Sequence, residues 1–340
     1  MQKKLIALAV AGLVSAPAFA QSNVTIYGVA DAYIGIGKQD NVKFRGIGDG
    51  ALSGSRLGFR GSEDLGNGLK AVFVLEQGFD IGSGNEIING KAEGRQALVG
   101  LAGGFGSVTF GRQYAPGWYF NYDALAAAAV GPQSILSSQS GMTITPNNPT
   151  RWDNSIVYTG SFSGLTARAI YSAQGVELAN KPSEDDAYGA GLDYSNGGLK
   201  VGAVYQVVKN AGADKQKDWG LGGSYDFGPL SLHASYQKAK DIAGFSNNDA
   251  RMWQIGTVVP VGAGNIHLAY GDLKLDRTGR DPKVKSYTLA YTHALSKRTT
   301  AYAALNRTDN DKGTNMGLVR NAFASDKNSD LLGVGIRHTF

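Results

Sequence analysis

Four arginines, Arg56, Arg60, Arg151 and Arg168, stand in stretches where polar and apolar residues alternate. Leu57 and Phe59, Ile156 and Tyr158, and Ala167 and Ala169 hold the opposite parity, so the guanidinium groups share the polar face of their segments. A row of arginines on one face attracts anions, and arginine suits a crowded site because its very high pKa keeps it ionised. Arg95 is ambiguous on this reading, because Ala97, Val99 and Leu101 share its parity. Asp31, Glu76, Asp153 and Asp193 also fall on the polar face and could pair with the arginines. Were Asp153 to neutralise Arg151, any anion preference would shrink.

Other chemistry is poorly represented. The chain has 340 residues and no cysteine, which removes thiol nucleophiles, iron–sulfur clusters, Cys-ligated zinc and disulfides. His233, His267, His293 and His338 lie on separate segments with no metal-ligand spacing, so no metal or cofactor is expected. No G-x-S-x-G elbow, P-loop or G-x-G-x-x-G is present, and the reading is of a protein that is not an enzyme. The net charge of +5 is spread thinly along the chain, which argues against a nucleic-acid partner.

The elements that carry these residues are short strands. Leu332, Val334, Ile336, His338 and Phe340 alternate with Gly333, Gly335, Arg337 and Thr339. Tyr287, Leu289 and Tyr291 alternate with Ser286, Thr288 and Thr292 in the same way. Seven tight turns, among them Asp64 to Gly68, Gly103 to Gly106 and Asn196 to Gly198, carry the Gly and Asn that such turns need. Longer polar connections fall between them, at Asp40 to Gly50, Gln174 to Asp185, Asp241 to Asp249 and Asp309 to Lys327. With eight long connections the pattern predicts sixteen strands. Short turns on one rim and long loops on the other predict an all-β, antiparallel transmembrane barrel. The 16 tyrosines, 13 phenylalanines and 4 tryptophans suit its two membrane interfaces.

Residues 1–20 read as an export signal: Lys3 and Lys4, an apolar stretch from Leu5 to Val14, then Ala18-Phe19-Ala20. Cleavage between Ala20 and Gln21 would leave a barrel domain of residues 21–340.

The longest connection, Ala115 to Thr150, contains Trp118, Tyr119, Phe120, Tyr122 and the run Ala124 to Val130. So apolar a segment is costly in water, and it is expected to pack inside the barrel and narrow it. Its one charged residue is Asp123.

Ser53-Gly-Ser-Arg-Leu-Gly-Phe-Arg-Gly-Ser-Glu-Asp-Leu-Gly-Asn-Gly-Leu-Lys70 resembles the Gram-negative general porins, specifically the trimeric proteobacterial type. The likeness runs in order through Val24 to Gly28, Arg95 to Leu101, Gly111 to Tyr114, Asn154 to Thr159, Ser224 to Leu230, Leu295 to Thr299 and Gly335 to Phe340. It implies a homotrimer in the outer membrane with the third loop folded into the lumen. It implies contact with outer-membrane lipid and lipopolysaccharide, and assembly machinery that reads Phe340. It also places Arg56, Arg95 and Arg151 in a basic cluster facing the third loop, and it puts Val29 where the family carries a lysine. Many relatives carry two or more acids on that loop, so this chain's field should lean positive. The expected function is passive diffusion of small hydrophilic solutes and ions, with a preference for anions. Two alternatives are a solute-selective channel with a saturable site, using Trp118, Tyr119 and Tyr122 as a slide, and a barrel serving as adhesin or anchor.

Overall fold

The computed structural model describes residues 23–84, 94–125, 128–173, 185–277, 279–319 and 325–340. The expected cleavage point at Ala20 and Gln21 lies outside these residues.

The period-two segments form antiparallel strands. Seventeen strand segments run from Asn23–Gln39 to Ser329–Thr339 in one sheet. Two of them, Val42–Asp49 and Arg56–Gly66, are one interrupted strand, since both pair with Asn23–Gln39. Sixteen strands therefore make the wall. The last closes on the first, with Thr339 opposite Val29 and Ser329 opposite Gln39. A lipid-exposed sheet needs this closure, because an open edge would leave backbone donors and acceptors without partners.

Alternation assigns the faces. Ile34, Ile156, Leu289 and Val334 are exposed on the outside, whereas Gln206, Gln254, Ser286 and Thr288 are buried on the inside. The seven tight turns fall at one rim and the long connections at the other. One expected long loop is different: Asp40 to Gly50 is not a loop. Asp40 and Asn41 make a two-residue turn, with Asp40 at φ 54°, and Val42–Asp49 continues as strand against Gly37 and its neighbours. The alternation of Lys43, Arg45 and Ile47 with small residues was the overlooked signal.

Outward aromatics near the long-loop rim form a girdle from Tyr171 through Tyr188, Tyr205, Trp219, Tyr236, Trp253 and Tyr270 to Tyr287. Neighbouring rings lie close, with centroids 5.4 Å apart for Trp219 and Tyr236 and 5.1 Å for Tyr270 and Tyr287. The girdle stops there. Along Thr299–Asn310, Ser329–Thr339 and Asn23–Gln39 the outward residues are Ala301, Ala303, Leu305, Leu332, Val334, Ile336, Ile34 and Ile36. At the tight-turn rim Phe105, Phe162, Tyr225, Phe227 and Tyr291 are exposed. Phe340 joins them, exchanging two 3.1 Å backbone hydrogen bonds with Gly28.

Residues 115–150, less the undescribed 126–127, pack on inward side chains. Gln206 accepts from the Gly117 amide at 2.5 Å and donates to the Thr143 hydroxyl at 2.9 Å. Asp218 accepts from the Thr143 amide, Gln254 donates to the Tyr122 carbonyl, and Thr288 donates to the Val130 carbonyl at 2.6 Å. His267 donates to the Ala124 carbonyl at 2.8 Å. Each such bond contributes about 1 kcal/mol net. The wall also makes room: a side chain at Gly222 would meet the Tyr122 ring at 2.5 Å. A helix, Pro132–Ser140, buries Ile135 and Leu136 against Met252 and Leu273.

Candidate functional site

Arg56 follows an interruption that the chain builds with care. Between Asp49 and Arg56, residues 50–55 leave the ladder, and Gly50 takes a φ of 69°. Asp31 holds this bulge. Its Oδ2 accepts from the amides of Leu52 at 3.0 Å and Ser53 at 2.7 Å, while Tyr302 donates to its Oδ1 at 2.5 Å. Arg56 then donates from Nη1 to the Ser53 hydroxyl and the Gly54 carbonyl, both at 2.9 Å. The expectation that Asp31 serves as a lumen acid available to the arginines is corrected: it is fully buried and bonds the bulge instead. Two amide donors and a phenol occupy its oxygens.

Arg95 shows why parity was ambiguous. The ladder begins only at Gln96, opposite Glu76, and Arg95 stands one residue earlier in a bend. Outside the ladder its side chain is free of the alternation, and it turns inward. Arg95 Nε donates to Glu76 Oε1 at 2.6 Å, and Arg56 Nε lies 3.4 Å from Oε2 of the same carboxylate. Tyr27 donates to that oxygen at 3.0 Å. Glu76 is thus shared by two guanidinium groups.

Tyr114 links this group to Arg151. Arg95 Nη2 donates to the Tyr114 hydroxyl at 3.2 Å, and the Arg151 guanidinium lies 5.2 Å from the Tyr114 ring centre. Trp118 stacks on Tyr114 at 4.0 Å, nearly parallel, and its ring is 4.8 Å from the same guanidinium. Aromatic faces suit this cation, because the ring quadrupole attracts it without neutralising it. Arg56, Arg95 and Arg151 therefore converge, as the resemblance implies, and the first aromatics of the long loop pack against them.

The other two arginines do not join them. Arg60 stands four residues further along the strand, roughly 13 Å away, and lies 5.0 Å from the Tyr27 ring. Arg168 is ion-paired to Asp193 at 2.5 Å and lies 4.0 Å from the Tyr119 ring. Tyr122 donates to the same Asp193 at 2.8 Å. Asp153 is 2.6 Å from Arg112, so the carboxylate weighed as a partner for Arg151 is engaged by a different arginine.

Asp123 is buried. Its Oδ1 accepts from the Leu125 amide at 2.6 Å, and among the described residues its Oδ2 has no hydrogen-bond partner. Burial pushes its pKa up to about 6. It does not present an exposed charge to the arginines.

Sequence reasoning missed Tyr114, Tyr27 and Arg112 as site residues. Tyr114 and Arg112 lie within Gly111-Arg-Gln-Tyr114, directly before the long loop, and that position was the available signal. Tyr27 carries no signal of its own, because its role depends on a carboxylate 49 residues away.

The comparisons agree with this geometry. A family model for Gram-negative porins matches residues 7–313. The chain is 34% identical to outer membrane porin protein 32 of Delftia acidovorans and 32% identical to an outer membrane porin protein of Bordetella pertussis, over the whole of each chain. Among solved structures it is similar to an anion-selective porin from Comamonas acidovorans. There the identity is 30% and the TM-score 0.80, covering 94% of this chain and all of that one. A closed sixteen-strand wall, the shared motifs and relatives aligned end to end lead to one assignment: the chain belongs to the Gram-negative porin family and is a porin of the bacterial outer membrane.

Proposed function

We propose that this porin is a general diffusion channel that prefers anions, with residues 115–150 narrowing the lumen beside Arg56, Arg95 and Arg151. The observation that carries the preference is the sharing of Glu76 by Arg56 and Arg95, two positive charges on one carboxylate. The loop adds nothing to offset them, since its one carboxylate is buried. The screening length at physiological salt is about 8 Å, comparable to a narrow constriction, so an uncompensated guanidinium there acts on every passing ion. The anion-selective Comamonas porin supports the same reading.

We further propose that residues 1–20 are removed on export, that Phe340 is read during assembly, and that three copies associate. The last is supported by the missing girdle: the wall from Thr299 round to Gln39 offers aliphatic and small side chains where rings would meet lipid headgroups. Nothing is chemically changed in passage, and rate follows size and field.

Reversal potential in a planar bilayer across a potassium chloride gradient tests the preference. An anion-selective potential with conductance in steps of three is expected. A cation-selective potential would overturn the charge argument, and current saturating with one solute would favour a binding channel.

A further inference from the structure

The outer face carries a second concentration of positive charge, away from the pore. On four adjacent strands, Lys238 stands opposite Arg251, Arg251 opposite Lys274, and Lys274 opposite Lys283. Lys217 stands opposite Lys240 beside them. Strands are about 4.8 Å apart, so four cations occupy a row of roughly 15 Å. Like charges directly opposite one another destabilise a strand pair. Carboxylates relieve only one of them: Asp276 at 3.0 Å and Asp281 at 2.8 Å both bind Lys274. Among the described residues, none lies within ion-pair distance of Lys217, Lys238, Lys240, Arg251 or Lys283.

The position of the row is informative. Along each strand it lies one or two outward steps beyond the aromatic girdle: Tyr236 precedes Lys238, Trp253 follows Arg251, and Tyr270 precedes Lys274. Girdle rings sit at headgroup level, so the cations sit at the height of the outer-leaflet phosphates. Below the girdle, Leu232, Ile255, Leu268 and Leu289 line one outward apolar depression. Cations above, rings between and aliphatic side chains below match the order of phosphate, sugar or glycerol, and acyl chain.

We propose that this wall is a seat for a lipid carrying two or more phosphates, whose headgroup bridges Lys238, Arg251 and Lys283. The seat relieves the like-charge row, so the lipid acts as a structural counter-ion of the barrel. The inference rests on the outer-membrane assignment but not on ion preference, because these residues face away from the lumen.

The test uses the full barrel, refolded in neutral detergent, with diphosphoryl lipid A as probe and phosphatidylcholine as the uncharged-surface control. The wild type should bind diphosphoryl lipid A in preference to phosphatidylcholine. Lys238→Gln with Arg251→Gln should weaken that binding by roughly 30-fold, about five-fold per cation. Lys297→Gln, at the opposite rim, should leave it unchanged. Potassium chloride conductance should be the same in all three proteins, which shows that each barrel is intact. In lipid-free detergent the double variant should melt higher than the wild type, because removing the row removes repulsion. Equal lipid A binding by the double variant would overturn the proposal, as would displacement of the lipid by free pyrophosphate at equal concentration. A lower melting point for the lipid-free double variant would also overturn it, since the cations would then be stabilising the bare barrel.

Discussion

Arg56 and Arg95 share a single carboxylate, whereas Arg168 and Arg112 each have one of their own. The residue type is the same in both regions and the electrostatic outcome is opposite. A one-to-one pair is close to neutral at a distance, so Arg168–Asp193 and Arg112–Asp153 stiffen the wall and add little to the field. A two-to-one group retains a net charge that a passing ion experiences. What distinguishes a selective region of this barrel from a merely polar one is therefore the local ratio of guanidinium to carboxylate. The number of arginines alone does not decide it.

The strongest way to break this contrast is to neutralise the shared group. Arg56→Gln with Arg95→Gln should lower the anion-to-cation permeability ratio by about four-fold, two-fold per charge, and leave Glu76 dominant. An unchanged reversal potential would show that neither side chain reaches the ion path. Removing the carboxylate should act in the other direction. Glu76→Gln is expected to raise the ratio about two-fold, and a fall would mean that its main role is to hold Arg95 in place.

The paired region should behave differently. Arg168→Gln combined with Asp193→Asn removes one charge of each sign, and bilayer measurements should give a ratio within experimental scatter of the wild type. A shift comparable to that of the Glu76 variant would erase the distinction drawn between the two regions.

Asp123 gives the smallest effect on current and a separate one on stability. Asp123→Asn should leave the reversal potential unchanged. Because the folded pKa of about 6 lies above the unfolded value of 3.8, the folded chain holds this proton more tightly. Its contribution to stability is then greatest below about pH 4 and is lost as pH rises through 6. The variant should accordingly resist urea better than the wild type at pH 7.5, with the difference vanishing near pH 4. An equal midpoint at both values would place the Asp123 carboxylate in water.

Much of the wall was legible in the chain because alternation is a local property. Leu332, Val334 and Ile336 point outward whatever their neighbours are, and so do Tyr287, Leu289 and Tyr291. The tight turns were legible for the same reason, since Asn67 and Gly68 carry their positive φ within the turn itself. The Asp40 to Gly50 segment misled because its polarity resembles a loop, while its pairing with Ile34 to Gln39 holds it as strand. Arg95 misled because parity applies only inside a ladder, and the ladder starts one residue later.

The amino-acid sequence by itself determined a closed sixteen-strand wall, a long apolar loop and an inward set of arginines, because period two and turn chemistry act over a few residues. Only the tertiary structure decided which carboxylate meets which arginine. Asp31 bonds a bulge, Asp153 serves Arg112, Asp123 is buried, and Glu76 alone is shared. Charge pairing depends on distances between strands that are far apart in the chain, and no local pattern records them.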